Sequence, residues 1–303
     1  MTKYKQFKQR IMDGFCCFLT VISPTFNTKV RYFMVHKKAL NLSVPQTLDE
    51  KILWLKLNRY MKDPLVIQCA DKYRVREYIK ACGCEDILVE LLGVYDCVDD
   101  INWEALPDQF VLKWNFGAGF NLICTDKSKL DKENTLKTMR KWGKEKYWLS
   151  HSEMQYKYIP KKIVCEKLLN SDTVKTPSGW KAPYDYKIFC FNGKAKYIMV
   201  MVGREKGFPT LYVFDERWSL VQCGKNNDIP PESITVKKPV CFEKMLEIAE
   251  KIAQPFPFVR CDLYAVEEKV YFGEMTFTPS GGMYIPVMPE VSKMMGEAID
   301  LGI

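Results

Sequence analysis

The chain is poor in histidine: His36 and His151 are the only two in 303 residues. A histidine-based catalytic set is therefore not expected. Twelve cysteines include no C-x-x-C pair, so the spacing of a zinc site is missing. Several stand inside apolar runs, as in Ile163-Val164-Cys165 and Ile188-Phe189-Cys190, where they serve as small buried hydrophobes. Free thiols in such number imply a reducing compartment, the cytoplasm. No apolar run is long enough to span a bilayer. Phe15 to Ile22 follows basic residues Lys3, Lys5, Lys8 and Arg10, as in a signal peptide, but Asp13 interrupts and no small-residue cleavage site is clear. A helix against the rest of the protein is the first expectation for residues 1–26. A helix on the inner face of a membrane is the second. Internal repeats and low-complexity segments are absent. No helix-turn-helix, zinc-finger or RNA-recognition motif appears, so no nucleic-acid partner is expected.

What is present suits a globular protein. The length predicts two closely packed lobes. The chain is 47% hydrophobic and 27% charged, enough for a sizeable core. A net charge of +8, with Lys and Arg dispersed, serves solubility first and attraction to anionic ligands such as nucleotides second.

Thr47 followed by Glu50 makes a capping box, and Leu48, Ile52 and Leu55 recur at helical spacing. A helix is predicted from Leu48 to Tyr60, and another from near Asp71 through Val75 and Ile79. A short strand is expected around Ile87 to Leu91. Phe110 to Lys113 predicts a strand, Asn115 to Asn121 a glycine loop, and Leu122 to Cys124 a returning strand. A helix over 131–147 and a strand over 162–169 follow, then a polar loop to Pro183. Beyond it, Tyr186 to Phe191 and Ala195 to Val202 flank the hairpin pair Asn192-Gly193. A strand at Leu211 to Phe214, a helix at Phe242 to Ala253, strands at Phe258 to Tyr264 and Lys269 to Met275, and a helix over 289–299 complete the pattern. Mixed helices and mostly antiparallel strands indicate an α+β class.

Four features carry chemistry. The glycine loop is not a Walker A loop, because no G-x-x-x-x-G-K-[ST] exists, nor a Rossmann fingerprint, because the third glycine is missing. A strand, a glycine loop and a returning strand can fold backbone N–H groups over phosphates, with Lys113 at the base; a plain hairpin is the bland alternative. Arg260-Cys261-Asp262 and Glu274-Met275-Thr276 put two carboxylates and a hydroxyl on one face if their strands are neighbours, because side chains alternate with period two. Such a set suits magnesium that keeps phosphate and water ligands; a charged sheet face paired with Arg260 is the alternative. Asp185 and Lys187 share a strand face, as a weak solvent pair would. Glu166 to Leu169 is a strand end, and Asp71-Lys72 opens a helix.

Together and in this order, Thr47 to Leu55, Asp71 to Tyr78, Phe110 to Lys113, Glu166 to Leu169 and Asp185 to Gly193 resemble the ATP-grasp superfamily. The likeness is to its TupA-like branch, associated with teichuronopeptide and other polysaccharide biosynthesis, and runs from about Leu42 onward. It implies an ATP-grasp fold, with nucleotide held between a small central α+β subdomain and a larger C-terminal antiparallel lobe. The implied segments are an N-terminal piece over 1–40, a mainly helical lobe over 41–109, the small subdomain over 110–169 and the large lobe over 170–303. By the same resemblance, Lys113 and Lys72 hold phosphates, and Asn115, Gly117 and Gly119 belong to a mobile loop. Glu166, Lys167 and Leu169 form the adenine hinge, with Asp185 nearby. Lys187 and Arg260 face the transferred phosphoryl group, and Asp262, Glu274 and Thr276 hold magnesium. The family's usual Glu-x-Asn is Glu-x-Thr here.

The implied activity is ligation of a carboxylate to an amine through an acyl phosphate, driven by ATP and magnesium. The substrates are a carboxylate and an amine acceptor, on a cell-surface glycan or its precursor. An ATP-grasp kinase acting on a hydroxyl, and a glycosyltransferase of polysaccharide assembly, are the alternatives. The acceptor pocket is expected from the N-terminal lobe and residues 203–240.

Overall fold

The computed structural model describes residues 3–171, 174–175, 180–202, 210–222, 234–283 and 288–303, with side chains from residue 11 and none at 174–175. Much of the expected acceptor region, 203–209 and 223–233, lies outside the described residues.

The chain opens with helices α1 (Lys3–Ile22) and α2 (Pro24–His36). Ser23 breaks them, because its hydroxyl caps Phe26 N–H and Pro24 takes the first helical position, where a missing N–H costs nothing. The capping box closes on α3 (Leu48–Leu55): Glu50 N–H reaches Thr47 Oγ1 and Thr47 N–H reaches Glu50 Oε2. A π-helical turn, Lys56–Tyr60, extends it to the expected end. Helix α4 (Pro64–Ala70) is an addition to the expected elements. Pro64 serves as its first residue rather than as a breaker, with Asp63 Oδ1 accepting from Leu65 and Val66 N–H. Helix α5 begins at Val75 (Val75–Ala81), because Asp71 to Arg74 forms a turn first.

Strand β1 (Leu91–Tyr95) stands a few residues later than expected, after a 3-10 turn at Glu85–Ile87. Strands β2 (Phe110–Trp114) and β3 (Asn121–Cys124) form the predicted hairpin. Helix α6 (Lys132–Gly143), capped by Asp131, and short α7 (Trp148–His151) lead to β4 (Ile163–Lys167). These strands make a four-stranded antiparallel sheet ordered β1-β4-β2-β3, so its edge strand comes from ahead of residue 110. The expected loop to Pro183 holds a two-residue hairpin, β5 (Val174–Lys175) and β6 (Lys181–Ala182).

The second sheet is built from β7 (Asp185–Phe191), β8 (Lys194–Val202), β9 (Thr210–Asp215), β10 (Phe258–Val266) and β11 (Lys269–Thr276), ordered β11-β10-β7-β8-β9 and wholly antiparallel. Asn192 and Gly193 both have positive φ, as the tight turn between β7 and β8 requires. Helix α8 (Phe242–Ala253) lays Phe242, Met245, Ile248, Ala249 and Ile252 on one face of this sheet. Cys190 and Cys261 of β7 and β10 face it, their thiols near Ala249 O. Alternation then turns Asp185, Lys187, Arg260 and Asp262 to the opposite face. Helix α9 (Pro289–Glu297) packs on α3. One continuous core joins both sheets to α3, α4, α5, α8 and α9. All described cysteines are free, and most are buried.

Candidate active site

Three adjacent strands present the site. Asp262 on β10 lies opposite Lys187 on β7 and opposite Glu274 on β11, and Arg260 lies opposite Thr276. The predicted shared face is therefore real, and its side chains touch. The Arg260 guanidinium grips Asp262 with both ends, Nε to Oδ1 at 2.6 Å and a terminal nitrogen to Oδ2 at 2.7 Å. The same nitrogen donates to Thr276 Oγ1 at 3.0 Å and sits 3.4 Å from Glu274 Oε1. Thr276 Oγ1 in turn donates to Glu274 Oε1 at 3.1 Å. Lys187 Nζ bridges Asp262 Oδ2, at 2.6 Å, and Asp185 Oδ2.

Burial sets the electrostatics. Burial alone would raise the Asp262 carboxyl, but the Arg260 and Lys187 charges more than offset it and hold the group below the ordinary carboxylate range. Burial works against the charge on Lys187 as well, yet Asp262 and Asp185 push its ammonium above the usual value. Asp185 is raised by burial and by the Asp262 charge, with Lys187 opposing. Its Oδ1 is buried without a partner among the described residues.

Lys72 joins this face to the other sheet. It follows Asp71, whose carboxylate caps the turn into α5. Its Nζ donates to Gly117 O, in the loop between β2 and β3, and lies 3.8 Å from Glu274 Oε2. Burial lowers its pKa; Glu274 opposes that, while Lys113 adds repulsion. Lys113 Nζ is 2.7 Å from Glu166 Oε2, and Arg76 reaches the other oxygen, Oε1, at 3.1 Å. Five cations thus converge with five carboxylates, Asp71 included, around a partly open site.

The loop between β2 and β3 is half anchored. Asn115 is fully buried. Its side chain donates to Asp71 Oδ1 and Pro160 O, and accepts from Lys162 N–H, all at 2.9 Å. Gly117 has φ +65°, and a Cβ there would stand 2.6 Å from the Tyr147 ring. Ala118 and Gly119 at the tip are exposed, with open space around Gly119. Expected mobility therefore has room only at the tip, because the buried asparagine pins the base.

The three residues expected to form a hinge part company. Glu166 belongs to the cation cluster. Lys167 points to solvent and pairs with Glu90, and its N–H is taken by Glu90 O in the sheet. Leu169 offers a carbonyl that accepts from Trp180 Nε1 at 3.1 Å. A cleft of about 1080 Å³ is lined by Gln109, Ile123, Asn170, Trp180 and Glu267. Lys72, Lys113, Lys187 and Arg260 do not line it.

Several residues went unnoticed in the sequence. Arg76 lies one helical turn beyond Lys72. Thr278 continues the period-two series 274, 276, 278, and that spacing could have found it. Its hydroxyl donates to Glu153 Oε1 at 2.6 Å and accepts from Gln155 Nε2 at 3.2 Å. Lys56, fully buried, donates to His151 O and Gly281 O. Burial lowers its pKa to about 7, and burial likewise raises that of Glu153.

Among the described residues no cluster of three His, Cys, Asp or Glu forms a ready metal cage. Two carboxylates and a hydroxyl on one face fit a cation that draws most of its oxygens from phosphates and water. Glu274, a third exposed, is the accessible donor, whereas both Asp262 oxygens are held by Arg260 and Lys187.

A family model described as TupA-like ATPgrasp matches residues 50–300. Among solved structures, the D-alanine–D-alanine ligase of Bacillus anthracis is similar at 13% identity and TM-score 0.44, with 76% of this chain and 63% of that chain covered. In its complex with ATP the figures are 15%, 0.45, 84% and 66%. The N5-carboxyaminoimidazole ribonucleotide synthetase of Thermus thermophilus is similar at 9% identity and TM-score 0.39, with 70% and 46% covered. This chain thus spans less than two thirds of each of these proteins. A search of curated proteins finds no match. The family match runs over most of the chain.

Proposed function

The chain belongs to the TupA-like ATP-grasp family, and from that premise we propose that it uses Mg-ATP to join a carboxylate to an amine. One observation carries the reading: Lys72 joins the glycine loop of one sheet to the Glu274 carboxylate of the other, where five cations converge. A triphosphate can take over these cations from the carboxylates that hold them. Lys113 binds it from the small sheet and Lys72 from the turn before α5, and Lys187 and Arg260 face its transferred end from the large sheet. Fixed charges in a site shielded from water are worth far more than exposed ones, and they need no reorganisation during reaction. Asn115, by pinning the loop base, keeps the backbone of residues 117–119 over the phosphates.

Glu274, Thr276 and Asp262 would hold the magnesium, which withdraws charge from the phosphate oxygens. Because Asp262 is already paired, it first has to share or release a cation, and Lys187 and Arg260 are then free to turn to the phosphoryl group. In the first step a substrate carboxylate oxygen bonds to the γ-phosphorus, and the bond to the β–γ bridging oxygen breaks, releasing ADP. In the second an amine nitrogen attacks the acyl carbon, phosphate leaves with the C–O electron pair, and the amine's surplus proton leaves with it. No protein nucleophile takes part. We place the substrates on a cell-surface polysaccharide or its precursor, on the family's association alone.

The test is ADP release from Mg-ATP with candidate acids and amines. ADP is expected only when both are present, and hydroxylamine should trap the acyl group as a hydroxamate. A phosphorylated product that survives hydroxylamine would point to a kinase instead. Tight binding of a UDP-sugar without ATP binding would point to a glycosyltransferase.

A further inference from the structure

Helices α1 and α2 bury one side and leave the other bare. Cys16, Leu19 and Thr20 of α1 are buried, and Thr20 Oγ1 donates to Leu149 O at 2.6 Å in α7. Asn27 of α2 donates to Thr20 Oγ1 at 2.7 Å and Ser152 Oγ at 3.0 Å. This buried polar knot fastens the helix pair to the rest of the molecule. The opposite side of α1 carries Ile11, Phe15, Phe18 and Ile22, spaced four, three and four, which is a single stripe along a helix. These four are between 48% and 63% exposed, and Val21 beside them is 69% exposed. On α2, Phe26, Lys29 and Phe33 form a second exposed stripe by the same spacing. Scattered single apolar residues need no explanation, but two ordered stripes do.

The charge says what covers them. Lys and Arg are spread along the whole chain, but acids are not. Residues 1–48 hold eight Lys and Arg against one acid, Asp13, while residues 49–303 hold 37 against 36. Seven of the eight net positive charges therefore belong to the helix pair and its tail. A second copy of the same face would bring like charges together, which opposes self-association. No described helix is long and apolar enough to cross a membrane. Phe and Ile on one face, with exposed Lys29 among them and exposed Lys37 just beyond α2, is the chemistry of a helix lying in the headgroup region of an anionic bilayer. Lys29, between two exposed phenylalanines, can lay its stem on the apolar surface and lift its ammonium to a lipid phosphate.

We propose that helices α1 and α2 dock on an anionic lipid surface through Ile11, Phe15, Phe18, Ile22, Phe26 and Phe33. The knot at Thr20, Asn27 and Ser152 makes the dock rigid with α7 and the Glu153 that follows it, so the whole molecule takes one orientation on the surface.

Flotation of the full chain with phosphatidylcholine vesicles, and with vesicles in which about a third of the lipid is phosphatidylglycerol, tests this. The chain is expected to float with the anionic vesicles only, and less as salt rises. Phe15→Ser with Phe18→Ser should lower the bound fraction at least tenfold, with an unchanged melting temperature. Lys29→Glu with Lys37→Glu, at exposed sites, should do the same and decides the matter should the first variant melt early. A wild-type chain left at the bottom with both vesicles, or variants that float like wild type, would overturn the proposal. So would a dimer in sedimentation that the phenylalanine changes dissociate, since a second copy would then own the face.

Discussion

At the scale of single residues, the buried charges show how environment rather than residue type sets protonation. His151 is pushed down to about 4, first by burial and then by the Arg31 and Lys56 charges. It is therefore neutral near pH 7, and Nε2 accepts from the Arg31 guanidinium at 2.7 Å. Between pH 6.5 and 4 the unfolded histidine binds a proton that the folded one refuses. Stability consequently falls as pH drops through that window, by at most about 1.4 kcal/mol per pH unit. His151→Gln keeps an acceptor and removes the titration. Urea melts of both proteins should show the wild type gaining on the variant as pH rises from 4 to 6.5, with no further change above that. A constant difference across that range would remove His151 from the account.

At the scale of elements, α9 meets α3 through a glycine. A Cβ on Gly296 would stand 2.2 Å from Gln46 O and 2.8 Å from the Thr47 carbonyl carbon, both backbone atoms that cannot swing away. Helix propensity alone favours alanine there by about 1 kcal/mol. The clash runs the other way and is larger, about 1–3 kcal/mol for an overpacked contact even after relaxation. Gly296→Ala should therefore destabilise, and chemical denaturation reads the sign directly. A more stable variant would mean that α9 does not press on the start of α3. The same scale explains α4. Pro64 reads as a stop when taken by itself, and becomes a start once Asp63 caps the helix.

At the scale of the whole molecule, the two sheets meet across Lys72, and ligand binding should tighten that junction. A ligand that binds only the folded state raises its melting temperature. Mg-ATP is expected to do so more than ATP or magnesium alone. Lys113→Ala should keep the unliganded melting temperature, since Arg76 still pairs with the Glu166 carboxylate, and should bind nucleotide roughly tenfold or more weakly, as loss of a charge-assisted contact implies. Unchanged affinity in calorimetry would take Lys113 out of the phosphate site.

Local pattern alone decided a good deal of this protein. Capping residues, the Asn192-Gly193 pair and period-two alternation are short-range matters, so α3, the β7–β8 hairpin and the common face of Glu274 and Thr276 were legible in the chain. The pairing of β10 with β7 and β11 was decided only in three dimensions, because register is set by packing of strands far apart in sequence. So were the capture of Asp262 by Arg260 and Lys187, the knot between Thr20 and Ser152, and the burial of Lys56 and Glu153. A charged residue in a sequence reads as solvent-facing until tertiary contacts remove the water, and that removal is what gives these groups their strength.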